Sequence, residues 1–219
     1  MIIRAKICGL KTKQAVEVAD SNGAAMLGFV FCEKSPRNIT PQLAGEISAE
    51  AVAAKVAVVV DPSDELLAEI VEHLKPDFIQ LHGKESEARA AEIKLKYGIP
   101  LIRSVSVIAS DQRERGNPSN WIASSALPSR NDKLYEYLLY DSPSAGSGKQ
   151  FDYSNFIAPK QDWMLSGGLT PENVVEAITQ TGAQMVDVSS GVESERGVKD
   201  LGKIEAFLDA TNQLLVTKH

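Results

Sequence analysis

Trp163 to Gly191, WMLSGGLTPENVVEAITQTGAQMVDVSSG, is the stretch whose reading decides the fold. An apolar run, Trp163 to Ser166, ends in two glycines. A pattern with helical spacing follows from Pro171 to Thr181, and a second β-rich run, Met185 to Ser189, ends in serine and glycine again. Strand, helix and strand in so short a span make a βαβ unit, whose two strands lie parallel because the crossover returns the chain to the same end of the sheet.

Working outward, the same rhythm repeats. Strands are expected at Arg4 to Cys8, Met26 to Phe31, Lys55 to Val60, Phe78 to His82, Leu101 to Val105 and Tyr137 to Asp141, which with the two above makes about eight. Helical patterns occupy Thr12 to Ser21, Pro41 to Ala51, Asp64 to Leu74, Glu87 to Tyr97 and Leu201 to Leu215. Ser63-Asp64-Glu65 offers a cap to exposed N–H groups, and Thr170 stands before Pro171 as a cap before proline at the first helical position. Eight parallel strands alternating with helices predict an α/β chain folded as a single-domain (β/α)8 TIM barrel over residues 1–219. Ile108 to Asp132, interrupted by Asn117-Pro118-Ser119 and Leu127-Pro128-Ser129, is where the helical pattern is least regular, and Ala145-Gly146-Ser147-Gly148 reads as a mobile loop.

Composition narrows the partners. Lys and Arg total 23 against 29 Asp and Glu, a net charge of −6, which leaves no electrostatic footprint for nucleic acid or an anionic membrane surface. No apolar run approaches the roughly 20 residues of a membrane helix, and the N-terminus lacks the apolar region of a signal peptide. A cytoplasmic protein with small-molecule partners is expected. The two cysteines, Cys8 and Cys32, are too few for a disulfide scaffold and should be free thiols. The outer helices show ordinary amphipathic patterns with no exposed zipper, so a monomer is expected rather than a homodimer.

Strand parity then separates chemistry from packing. Side chains alternate faces, so one parity meets the helices and the other points into the barrel. Lys6 and Cys8 oppose Ile7; Gln80 and His82 oppose Ile79 and Leu81; Asp187 and Ser189 oppose Val186 and Val188; Asp141 opposes Tyr140. Buried polar groups need partners to offset desolvation of about 1–3 kcal/mol each, so such a collection lines a cavity. Cys8 and Asp141 end the first and sixth strands, and a thiol and a carboxyl group on one rim can move protons at two places on one substrate. That is the minimum equipment of an isomerase. Ser166-Gly167-Gly168 and Ser189-Ser190-Gly191 end the seventh and eighth strands. Either step alone reads as a tight turn; together they read as a phosphate cradle, where backbone N–H groups approach an anion closely.

The ordered set Lys6-Ile7-Cys8-Gly9-Leu10, Leu27-Gly28-Phe29-Val30-Phe31 with Ser35-Pro36-Arg37, Gln80-Leu81-His82-Gly83, Asp141-Ser142 with Gly148-Lys149 and Phe151-Asp152, Ser166-Gly167-Gly168-Leu169, and Asp187-Val188-Ser189-Ser190-Gly191-Val192-Glu193 then Gly197-Val198-Lys199-Asp200 resembles the phosphoribosylanthranilate isomerases. The match runs from Lys6 nearly to the last helix. The resemblance implies an aldose-ketose isomerase of tryptophan, and so aromatic amino acid, biosynthesis. Such an enzyme converts N-(5-phosphoribosyl)anthranilate, a phosphosugar, to 1-(2-carboxyphenylamino)-1-deoxy-D-ribulose 5-phosphate by an Amadori rearrangement, using general acid-base catalysis with no metal and no organic cofactor.

The residues that match the family's pattern would then carry these roles. Asp141 is the general acid that protonates the ribose ring oxygen, which requires a carboxyl raised above its free value near 3.9. Cys8 is the base that takes the C2′ proton. Arg37 grips the anthranilate carboxylate, His82 lines the pocket, and Gly167, Gly168, Ser190 and Gly191 hold the phosphate. Lys6 is either a source of positive charge beside Cys8 or, as parity favours, the buried ion-pair partner of Asp187. Arg103 is left open between adding charge near the cavity and a solvated strand end, and Asp152 is read as a helix cap. Cys32 departs from the aromatic residue often found there and raises an expectation of oxidant sensitivity. A related synthase or a non-catalytic phosphometabolite-binding barrel would share the phosphate loops without this pairing of Cys8 and Asp141.

Overall fold

The computed structural model describes residues 3–106, 134–141 and 158–214. The first eight strands, β1 Arg4–Cys8, β2 Met26–Phe31, β3 Ala54–Val59, β4 Phe78–Leu81, β5 Leu101–Ser106, β6 Tyr135–Asp141, β7 Trp163–Ser166 and β8 Met185–Val188, pair in sequence order and close on themselves as a barrel. Every pairing in it is parallel, including the closing one, where Lys6 of β1 lies in register with Asp187 of β8. The helices are α1 Lys13–Ser21, α2 Pro41–Ile47, α3 Asp64–His73, α4 Glu87–Tyr97, α5 Val174–Thr181 and α6 Leu201–Gln213. A small antiparallel hairpin, β9 Glu193–Glu195 with β10 Val198–Lys199, follows β8. The segment 108–132, the loop 145–149 and Asp152 lie outside the described residues.

Parity sorts the apolar residues into two bodies. Ile7, Leu27, Phe29, Ile79, Leu81 and Val186 join the layer between barrel and helices, while Met26, Val56, Val58, Ile102, Leu139 and Met164 fill the barrel interior. A strand covered on both faces reads as a continuous apolar run, which is why β2 shows no alternation. β6 needs one correction to simple alternation. Leu101 pairs with Tyr135 and Ile102 with Tyr137, so the ladder skips Glu136. The bulge sends Tyr135 outward among the helices and Tyr137 into the barrel, although a flat strand would put both on one face.

Thr12, Thr40, Ser63 and Ser86 each accept from a backbone N–H in the first turn of α1 to α4, stopping those helices where the sequence signals them. Besides shifts of one or two residues at other ends, two helix boundaries move further from expectation. α2 ends at Ile47 rather than Ala51, because the buried Ser48 hydroxyl turns back to donate to the Ala44 carbonyl at 2.6 Å and competes with the continuing helix. α5 begins at Val174, not Pro171. The Asn173 side chain accepts from the Thr170 N–H at 2.8 Å and donates to the Gly168 carbonyl at 2.9 Å, so it braces the preceding turn instead of letting the helix start there.

Candidate active site

β1 ends on Cys8 and β6 on Asp141, and in a closed parallel barrel all strand C-termini share one rim. In barrels of this kind the reactive groups sit on that rim. Beneath it runs a line of polar groups. Ser166 Oγ donates to Asp187 Oδ2 at 3.3 Å, and Lys6 Nζ donates to Asp187 Oδ1 at 2.7 Å with both side chains buried. Of the two assignments open for Lys6, the ion pair that parity favours is the one made directly. The same ammonium also acts on Cys8. A Cβ built on Gly28, the residue in register with Cys8, would stand 3.0 Å from Cys8 Sγ and 3.2 Å from Lys6 Nζ, so glycine leaves the gap in which thiol and ammonium approach.

The electrostatics follow from this line. Burial opposes the charge on Lys6, but the Asp187 carboxylate outweighs it and raises its pKa, so the side chain stays cationic. Burial raises the Cys8 thiol above its ordinary 9.0, and the charges of Lys6 and Lys199 pull against it. Asp141 is pushed up to about 6, first by burial and then by the negative charge of Asp187. A carboxyl at that value still carries its proton on a useful fraction of molecules near neutrality, which is what a general acid requires.

The two glycine steps meet. A Cβ on Gly191 would fall 1.8 Å from the Leu169 carbonyl oxygen, so the loops after β7 and β8 touch backbone to backbone at a point only glycine allows. Gly167 at φ 93° and Gly168 at φ 67° take left-handed conformations, and Gly168 has open space beside it. Ser190 opens a short 3-10 turn, Ser190–Val192. The cradle's backbone is thus assembled by contact between two loops far apart in sequence.

Arg37 and His82 stand in more specific settings than their sequence suggested. The Arg37 fork donates from Nε to Glu193 Oε1 at 2.6 Å and from Nη2 to Glu193 Oε2 at 2.8 Å. Burial alone would raise the Glu193 carboxyl; hydrogen bonds from Arg37, Lys199 and the Gly197 N–H overcome it and hold the group at about 2. Lys199 also donates to the Ser189 carbonyl at 2.7 Å, and Gly197 presses against the Pro36 carbonyl, so the Ser35-Pro36-Arg37 loop is locked to the loop after β8. His82, the residue after β4, has Nδ1 at 3.3 Å from Gln80 Nε2, and desolvation of the ring, chief among its causes, lowers its pKa. Arg103 is neither a free cavity charge nor a solvated strand end: it donates to the buried Glu85 at 2.9 Å, and Glu85 also accepts from the Asp61 and Gly83 N–H groups. Cys8 and Cys32 are both free thiols.

Glu193, Lys199, Glu85 and Gly28 escaped the sequence reading as site-building residues. For Glu193 and Lys199 the signal existed in their place beside the second glycine step; for Gly28 and Glu85 nothing in one dimension shows what they touch. Among the described residues, no helix is long and apolar enough to cross a membrane and no group of three or more His, Cys, Asp or Glu could hold a metal.

A raised carboxyl, a thiol and two touching glycine-rich loops on the C-terminal side of a (β/α)8 barrel give the layout of an acid-base barrel enzyme. Residues 5–210 match the family model described as N-(5'phosphoribosyl)anthranilate (PRA) isomerase. The N-(5'-phosphoribosyl)anthranilate isomerase of Rhizobium leguminosarum bv. trifolii is 42% identical over 219 residues, covering 95% of this chain and 93% of the relative. The crystal structure of TrpF from Jonesia denitrificans superposes with a TM-score of 0.80 at 32% identity, over 99% of this chain and 100% of the other. A phosphoribosyl anthranilate isomerase in complex with reduced 1-(o-carboxyphenylamino)-1-deoxyribulose 5-phosphate gives a TM-score of 0.74 at 30% identity, over 97% and 100%. The chain belongs to the phosphoribosylanthranilate isomerase family. It is an enzyme of tryptophan biosynthesis that isomerises N-(5-phosphoribosyl)anthranilate to the carboxyphenylamino-deoxyribulose phosphate.

Proposed function

We propose that Asp141 and Cys8 are the acid and base of this isomerisation, acting from one rim. Asp141 gives its proton to the ribose ring oxygen as the C1′–O bond breaks, leaving a Schiff base conjugated with the anthranilate ring. Cys8, as thiolate, takes the C2′ proton, and the electrons move toward nitrogen to form an enolamine. Tautomerisation yields the ketone; the hydride count is unchanged, so no redox cofactor is called for. The observation that carries this reading is the contrast between the two ends: a carboxyl pushed up to about 6 by burial on β6, and a thiol on β1 beside a buried ammonium.

The Arg37 fork, with its Nε and Nη2 edge on Glu193, would meet the anthranilate carboxylate through its remaining nitrogen. Gly167, Gly168, Ser190 and Gly191 would receive the phosphate, and His82 would contact the pentose from β4. The reading extends to one domain over residues 1–219, working as a monomer in the cytoplasm. Replacing Cys8 by Ser tests the centre of the proposal: turnover of phosphoribosylanthranilate, followed by loss of its fluorescence, should fall at least a hundredfold with little change in substrate affinity, since a hydroxyl is a far poorer base. Near-normal turnover would remove Cys8 from its role.

A further inference from the structure

Gln80 is a buried amide, 1% exposed, on the inner face of β4 between the inner-core positions Val58 and Ile102 of the neighbouring strands. Its Nε2 reaches His82 Nδ1 at 3.3 Å, yet its carbonyl oxygen Oε1 is the one buried side-chain polar atom among the described residues that lacks a hydrogen-bond partner. Lys6, Asp187 and Ser166, buried polar groups of the same interior, already satisfy one another. An acceptor left empty in so dry a place destabilises the free protein, and such a group persists where a ligand completes it.

We infer that Gln80 is a substrate-binding residue whose Oε1 accepts a hydrogen bond from a pentose hydroxyl, and whose amide N–H fixes His82 with its proton on Nε2. The inference rests on the site proposed above. There the anthranilate carboxylate is drawn to the loop after β2 and the phosphate to the loops after β7 and β8. Both are acceptors and neither can complete Oε1. The pentose between them would span the barrel mouth, and its hydroxyls are the donors the substrate can offer to Oε1. The His82 half follows from the same amide: an N–H that donates to Nδ1 requires a lone pair there, so the ring proton sits on Nε2. His82 is the residue at the pocket mouth, and in that tautomer it offers a donor rather than an acceptor to the sugar.

Gln80→Met keeps the volume and removes both hydrogen-bonding groups. The expected result is a KM for phosphoribosylanthranilate raised about tenfold with kcat within about threefold of wild type, and a Tm no lower than wild type, because the orphaned acceptor has gone. An unchanged KM, or a Tm lowered by several degrees as for a structural hydrogen bond, overturns the inference. Nitrogen-15 NMR of wild-type His82 gives a second reading that does not depend on any variant: Nδ1 should appear as the unprotonated nitrogen at neutral pH, and a protonated Nδ1 overturns the arrangement. The Cys8→Ser experiment moves kcat rather than KM, so failure of the acid-base assignment is distinguishable from failure here.

Discussion

Replacing Asp141 by Asn should change the slope of the pH profile as well as the rate. In the free enzyme Asp141 titrates at about 6 and the Cys8 thiol above 9.0, so the productive form pairs the protonated acid with the thiolate and is a minor one. At pH 7 about a tenth of molecules hold the proton on Asp141, and burial keeps the thiolate the minor form of Cys8, so few molecules carry both. Between the two values each unit of pH costs tenfold in protonated acid and gains tenfold in thiolate. The two cancel, and wild-type kcat/KM should be flat from pH 6.5 to 8.5, where the substrate phosphate stays largely dianionic. Asn donates no proton, so the acid factor vanishes. The variant should lose about 10²- to 10⁴-fold at pH 7 and then climb tenfold per unit of pH as the thiolate forms. Stopped assays of substrate fluorescence in a buffer series of constant ionic strength measure both profiles. A flat profile in the variant would falsify the assignment, because the slope belongs to Cys8 only once Asp141 has been removed.

Lys6→Met should destabilise the fold by about 3–5 kcal/mol in urea denaturation, because Asp187 is left charged and unpaired in the barrel, and adding Asp187→Leu should restore much of the loss; equal stability of the single variant and wild type would remove the ion pair from the account. Gly28→Ala places a methyl 3.0 Å from Cys8 Sγ, 3.1 Å from Cys8 Cα and 3.2 Å from Lys6 Nζ, so overpacking should cost about 1–3 kcal/mol of stability and kcat should fall about tenfold as the thiol is displaced. Wild-type kcat in that variant would mean the gap at Gly28 is incidental. Arg37→Lys should raise KM about tenfold, since an ammonium cannot hold Glu193 with two parallel bonds and still present a planar nitrogen to a carboxylate; the expectation is dropped if KM stays put.

The barrel was legible in one dimension because two periodicities write it there. Runs such as Met26 to Phe31 are covered on both faces and read as buried parallel strands, while Thr12, Ser63 and Ser86 mark helix starts with side chains that serve only local N–H groups. Parity alone put Lys6, Cys8, Gln80 and Asp187 inside, since a strand has no third face. The sixth strand is expected only from Tyr137, because the bulge that carries it back to Tyr135 is a property of pairing with β5, and the helix expected from Pro171 starts at Val174 because Asn173 acts on a turn five residues back. What the order of residues determined by itself was the fold and which side chains could reach its interior, both of which follow from short-range sterics and alternation. What only the tertiary structure decided was which of them meet: Glu193 on Arg37 across 156 residues, Asp187 on Lys6 across 181, and Gly191 against Leu169. Charge and hydrogen bonding act through a few ångströms of space, and closure of the barrel between β1 and β8, not distance along the chain, sets those separations.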